Sequence, residues 1–431
     1  MSLKVVSGFL SRISYGWRMV GLVSVIRIIG GGLHQFGFTV FFLPISQDLG
    51  LSRAATSLAF SLSRAEAALE GPLVGYLIDR HGPRPILVTA VFLAGVGYIL
   101  LSWVNSYTSF MIVYLGVICI AFVAGFVHSP MVVANSWFIR QRARAMTVVS
   151  AAVPIGGALI SPLLAIGVAS IGWRWAAFAS GCIFLLVCLP LSFKLQRSPE
   201  SIGLLPDGDT PLQEGAMSSA GITRQDANAD LTGRQAMKTW VFWVLVVSMT
   251  ARVTCYSAAT VHFVPLMVWK GLSEGAAAAL LGAFAFANLV AHFVLGWIAD
   301  RVNKPKLLVV CQLLPALSVP PLLWGSGHWQ LWSFTVLFTL LDASFPIVWA
   351  TVGDFFGRRH FATVRGSMSF FYMWGSFAGP VLAGAIYDRT QSYMTVLWIW
   401  LGLLVLAVLL MMFLIRPWIK RMTSIDAPHP H

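Results

Sequence analysis

The chain has 431 residues, of which 58% are hydrophobic and only 10% charged, with a formal net charge of +13 and a mean hydropathy of +0.79. A soluble domain carries about 25% charged residues, and a water-exposed surface of this composition would be dominated by apolar patches. Soluble enzymes, nucleic-acid binders and disordered chains are thereby excluded, and at about 20 apolar residues per bilayer crossing the chain has room for roughly ten to twelve helices.

The opening segment, MSLKVVSGFLSRISYGW, has no long apolar core followed by a small-residue cleavage site and reads as a cytoplasmic leader. Apolar runs then place spans 1 to 6 at 17–43, 55–78, 86–104, 110–134, 146–169 and 174–193. Residues 195–238 hold six of the 16 acids and few large apolar residues, which predicts a solvated linker with a short surface helix near its end. Spans 7 to 12 follow at 240–266, 276–299, 307–324, 331–353, 367–386 and 393–415. The expected organisation is a six-helix half over 1–194, a cytoplasmic linker over 195–238, and a second six-helix half with a cytoplasmic tail over 239–431.

Charge placement sets the orientation. Of the 29 Lys and Arg, 22 fall in alternate connections assigned to one side, among them Arg80, Arg84, Arg140, Arg301, Arg358 and Arg365; four fall on the other side. Basic loops stay in the cytoplasm, so both termini are expected there, and the basicity reflects topology rather than a nucleic-acid partner. All five cysteines lie in apolar spans with no paired spacing and no grouping with histidine, which predicts neither a disulfide framework nor a metal site.

The two halves are related. Residues 37–80 align without a gap onto 258–301, with 11 of 44 positions identical. Thr39, Phe42 and Pro44 fall on Thr260, Phe263 and Pro265, while Gly75, Asp79 and Arg80 fall on Gly296, Asp300 and Arg301. A second match lays Arg140 on Arg358 and Pro162 on Pro380. Duplicated halves imply a pseudo-twofold axis and a shared mid-membrane site.

With these features the chain resembles the major facilitator superfamily. The resemblance implies an all-α membrane protein of twelve transmembrane helices in two pseudo-symmetric six-helix halves, working without a cofactor. Its most specific carrier is Gly75-Tyr-Leu-Ile-Asp79-Arg80-His-Gly82-Pro-Arg84, which resembles the family's cytoplasmic gating motif; Gly296-Trp-Ile-Ala-Asp300-Arg301 is a weaker second copy. In physical terms, the glycine allows close helix approach, and the carboxylate caps a neighbouring helix and pairs with arginine. A narrower resemblance is to the bacterial monocarboxylate transporters, carried by Tyr15-Gly16-Trp17, Gly50-Leu51-Ser52-Arg53-Ala54 and Phe138-Ile-Arg140-Gln-Arg142. Span 8 departs from that branch. Where an acidic or amide residue, an arginine and a glycine recur at intervals of four, this chain has Asn288, His292 and Gly296, and a lysine often found late in span 1 is replaced by Leu43 or its apolar neighbours.

Ionisable groups within a bilayer default to function. Arg27 and Arg252 lie near mid-depth on the first helices of the two halves and can each grip a carboxylate bidentately; the competing reading is an internal ion pair with Glu66, Glu70 or Asp342. Glu66 and Glu70 share a helix face, whereas Arg64 points elsewhere. These two acids and Asp342 are the candidates for carrying a proton, against the alternative that each only neutralises an arginine. Asn288 and His292 share a face in span 8, and an imidazole there can both bind substrate and titrate. His34, His128 and His262 read as hydrogen-bonded packing residues. Gly157-x3-Ser161-Pro162 in span 5 and Gly375-x3-Gly379-Pro380 in span 11 read as close-packing seams. No phosphate-binding loop or nucleophile constellation occurs. The expected activity is proton-coupled uptake of a small organic anion by a monomer in a bacterial inner membrane, with export of a larger amphipathic compound or a non-transporting sensor as alternatives.

Overall fold

The computed structural model describes residues 15–50, 53–208 and 231–426. Most of the expected leader, most of the linker and the end of the tail lie outside the described residues, as do the side chains of Arg53 and Arg64. Among the described residues, ten continuous helices are long and apolar enough to cross a membrane. One of them, Arg142–Phe193, is 52 residues long and carries spans 5 and 6 end to end. The chain reverses within it at Gly172, whose φ of 80° and ψ of 159° suit a residue without a Cβ. Span 2 is the helix Arg53–His81, with Glu66 and Glu70 along its middle. Counting these two brings the helices to twelve.

The chain divides into two compact units, 1–224 with Arg358–Gly366, and 225–357 with 367–431. Arg358–Gly366, ahead of and at the start of the span 11 helix Phe361–Thr390, is thus counted with the first unit.

In the first unit, span 1 comprises the helices Tyr15–Gly30 and Gly37–Asp48 around a π-helical turn, Gly31–Gln35. Further π-helical turns occur at Tyr114–Cys119 and Phe122–His128 in span 4 and at Phe184–Cys188 in span 6. Span 1 crosses span 5 backbone to backbone: a Cβ added to Gly32 would lie 2.5 Å from the Gly156 carbonyl oxygen. Ser161 Oγ donates across the same seam to Gly32 O at 2.9 Å. Small residues there replace side-chain packing with close main-chain contact, the economical way to join helices in lipid.

The start of the linker belongs to this unit's surface. Leu195 is fully buried, and the Asp207 carboxylate accepts backbone N–H groups from Ile139 (3.0 Å), Arg140 (2.9 Å) and Gln141 (3.2 Å). Those three amides precede span 5, so Asp207 satisfies donors at a helix N-terminus, where negative charge is favoured. Glu200 forms an ion pair with Arg358 at 3.1 Å, and Arg358 Nη1 also donates to Ser136 O at 3.0 Å.

In the second unit, Phe263, Phe284, Phe334, Phe338 and Trp400 form an aromatic core that packs with Val319 and Leu322 of span 9. Span 7 is the helix Trp240–Val261, continued by Phe263–Trp269; span 8 is Glu274–Ala299 and span 9 Lys304–Trp324. The short helix Gly233–Met237 precedes span 7, capped by Thr232, whose side chain exchanges hydrogen bonds with Gln235. Span 10 is broken into His328–Phe338, Leu340–Ala343 and Phe345–Phe356. Pro346 lacks the N–H that would bond back to the preceding turn, which accounts for the break after Ala343.

Candidate functional site

Buried polar side chains gather in each unit separately. In the first, Gly30 lies against Phe122 and Phe126, and Gly16 against Trp137 and Phe138. Spans 1 and 4 are therefore antiparallel. Three residues back from Gly30 is Arg27, and two on from Phe126 is His128, so the register brings them to the same level; each lies within electrostatic range of Arg365, and His128 also of Arg27. Arg27 is 9% exposed, His128 2% and Arg365 1%. Among the described residues, Arg27 Nε and Nη1 and His128 Nδ1 are buried without a hydrogen-bond partner. Asn135, seven residues beyond His128 on the same helix face, is fully buried with both amide atoms unpartnered.

Glu66 and Glu70 lie side chain to side chain, one helical turn apart in span 2, and Oε2 of each is buried without a hydrogen-bond partner among the described residues. Beside them, Tyr114 hydrogen-bonds Ser63 and Cys119. His34 is held by packing: it stacks on Phe122 at 3.8 Å and its Nδ1 lies 3.2 Å from the Tyr98 hydroxyl.

In the second unit, Arg252 is 1% exposed. Its Nη1 donates to the Leu341 carbonyl, which the break in span 10 leaves available, and to Ser344 Oγ at 3.4 Å. Its guanidinium lies 5.1 Å from the centre of the Phe345 ring, and Asp342 supplies an opposite charge nearby. The Asn288 amide donates to the Tyr256 hydroxyl at 2.9 Å and to Asp342 Oδ2 at 3.1 Å. His292 Nδ1 meets the carbonyl of Asn288, one turn back, at 3.0 Å. Span 7, span 8 and span 10 thus converge on Asp342. His262 is a packing residue here, bonded to Tyr393 and to the Pro380 carbonyl, each at 3.0 Å.

The first copy of the gating-type motif is assembled within the first unit. Gly75 is in close contact with the Ala362 backbone, and the Asp79 carboxylate accepts the N–H of Ala362 (3.1 Å) and Thr363 (2.7 Å) at the start of the span 11 helix. His360 lies within electrostatic range of the same carboxylate. The neighbouring arginines point elsewhere: Arg80 is exposed and reaches the Tyr76 hydroxyl at 3.4 Å, and Arg84 is also exposed. In the second copy, Gly296 is buried, Asp300 ends the span 8 helix, and the Arg301 guanidinium stacks on Trp297 at 3.6 Å. A buried ion pair, Lys304 with Asp354 at 2.6 Å, joins spans 9 and 10.

Sequence reasoning missed Arg365, counting it among the surface cations. Its signal is position: it stands two residues before the expected start of span 11, close enough for one further turn of helix to carry it inward. Asn135 was missed as well, although an amide at helical spacing from His128 marks the same face.

The Major Facilitator Superfamily model matches residues 24–380 and, in a second alignment, 253–424. The chain belongs to the Major Facilitator Superfamily. It is accordingly a multi-pass secondary transporter of small molecules and not an enzyme. Among curated relatives, monocarboxylate transporter 2 of Mesocricetus auratus is 24% identical over 407 residues, covering 88% of this chain and 79% of the relative. A probable hexose phosphate transport protein of Chlamydia muridarum is 23% identical, covering 88% and 86%. Among solved structures, the transporter FucP in the outward conformation superposes with a TM-score of 0.70 at 13% identity, over 91% of this chain and 98% of that one.

Proposed function

We propose that this transporter carries a small organic anion, such as a monocarboxylate, into the cell together with protons, by alternating access in a bacterial inner membrane with both termini cytoplasmic. The observation that carries the reading is the pair of half-buried carboxyl groups, Glu66 and Glu70, one turn apart within a membrane span and each with an unpartnered Oε2, a place suited to taking up and releasing a proton. Asp342, bonded by Asn288, is the alternative proton carrier. Arg252 and Arg27 would supply charge for the cargo's carboxylate, with Asn288 and His292 lining its path, and Gly75, Asp79, Arg80 and Arg84 with Gly296, Asp300 and Arg301 would form the cytoplasmic gate. The names of the two relatives support an anion, since a monocarboxylate and a hexose phosphate both carry negative charge.

The test is uptake of radiolabelled lactate, pyruvate and acetate into proteoliposomes, with and without an inward proton gradient. Gradient-stimulated uptake is expected, and Glu70→Gln should abolish the stimulation while leaving exchange down a substrate gradient. Absence of uptake for all three compounds would overturn the cargo assignment. Uptake indifferent to the gradient in the unmodified protein would overturn proton coupling.

A further inference from the structure

Arg27 Nε and Nη1 are buried without a partner, and the charge within electrostatic range of Arg27 is that of another arginine, Arg365, rather than either acid of span 2. The register of spans 1 and 4 sets Arg27 and His128 at one level, both within electrostatic range of buried Arg365, and the three come from separate chain segments. Arg27 is held between helices with Nε and Nη1 unsatisfied, and His128 offers an unsatisfied Nδ1. Buried polar atoms are nearly always hydrogen-bonded, and a buried charge is expensive to leave uncompensated. A water molecule can satisfy a donor, but it cannot neutralise a guanidinium. An anion does both.

The geometry points to a binding site for a compact anion in the first unit, formed by Arg27, His128 and Arg365. The proposal deepens the anion part of the functional reading and rests on that part alone, not on proton coupling or direction. Guanidinium groups favour oxyanions, which accept two parallel N–H bonds, so a carboxylate is the favoured ligand; a halide satisfies the same charge with less directional bonding. The ligand is either the cargo's carboxylate or a free inorganic ion. Because Arg365 lies in the segment whose start is capped by Asp79, a bound anion would bridge span 1 to the first turns of span 11 and so stabilise that docked segment.

Thermal unfolding of the purified full-length protein, read by tryptophan fluorescence, tests this with sodium lactate and sodium chloride titrated at constant ionic strength against sodium HEPES. A saturable rise in the unfolding midpoint is expected with lactate. Arg27→Gln and Arg365→Gln should each raise the half-saturating concentration by about tenfold or more, and His128→Gln should raise it by a smaller factor. Arg174→Gln removes an equal charge from a surface pair with Asp48 and should leave the response intact. If Arg365→Gln cannot be recovered folded, Arg365→Lys, which keeps the charge but loses the planar fork, should weaken lactate more than chloride. Competing responses to both ions uphold the site and make it a general anion site; a response to lactate alone upholds it and makes it selective for carboxylates. No saturable response in the unmodified protein, or a response unchanged in Arg27→Gln, overturns the proposal. Because binding is read without flux, lactate binding with no lactate transport would sink lactate as the cargo and leave the site standing.

Discussion

The first helix of each six-helix half buries an arginine near mid-span, Arg27 in one and Arg252 in the other, and the two are housed differently. Arg252 has an opposite charge nearby in Asp342, a carbonyl released by the break in span 10, a hydroxyl and an aromatic face. Arg27 has another arginine as its electrostatic neighbour. The internal alignment sharpens the contrast: the Glu66/Glu70 pair of span 2 falls one residue away from the Asn288/His292 pair of span 8. At corresponding levels, one unit carries two neighbouring acids, each with an unpartnered Oε2, and the other carries an amide that reaches across to an acid. Duplicated helices have kept their positions while their polar groups have been partnered in opposite ways.

The largest effect should come from the better-partnered arginine. Arg252→Gln removes the charged hydrogen bonds to the Leu341 carbonyl and Ser344 and the cation near half-buried Asp342, and should cost about 1.5–3 kcal/mol of stability, seen as a lower thermal midpoint in detergent. Arg27→Gln in buffer without compact anions should cost far less or stabilise, since it removes a buried charge that lacks a carboxylate. Equal losses in both variants would break the comparison.

Next comes the contact between spans 2 and 11. A Cβ at Gly366 would run into the Gly71 carbonyl, whereas Gly282 has nothing within 4 Å. Gly366→Ala should destabilise by about 1–3 kcal/mol through overpacking. Gly282→Ala should stabilise by about 0.5–1 kcal/mol, because it gains helix propensity without a clash. The opposite signs can be read from the same unfolding scans.

The smallest effect is expected at the surface. Arg174 and Asp48 pair at 2.7 Å with side chains 35% and 43% exposed. Breaking this pair in Asp48→Asn should change stability by less than about 1 kcal/mol, and added salt should erase most of the difference.

Much of this is legible in the sequence because it is local. Span positions follow from runs of apolar residues, the duplication from an ungapped match, and the shared faces of Glu66 with Glu70 and Asn288 with His292 from a spacing of four. The capping role of Asp79 is also foreseeable, because a carboxylate at a helix end seeks unsatisfied N–H groups. Pairing between helices is not legible. Whether Arg27 meets Glu66, Arg252 meets Asp342, or Arg365 turns inward depends on helix rotation and register, which the side-chain pattern of one helix does not specify. Span 10 illustrates the limit: Pro346 announces a break, but nothing in the sequence says that Arg252 takes the freed carbonyl.

The carboxylate of Asp207 gathers three amides of the turn before span 5, and this moves the border of the first unit. Composition turns polar at Lys194, yet the fold of that unit runs on to a clasp thirteen residues further along the chain. Anyone dividing the gene to express the halves apart should therefore cut after Gly208. A cut at Leu195 would strip the acceptor from three backbone donors at once and leave the entrance to span 5 uncapped.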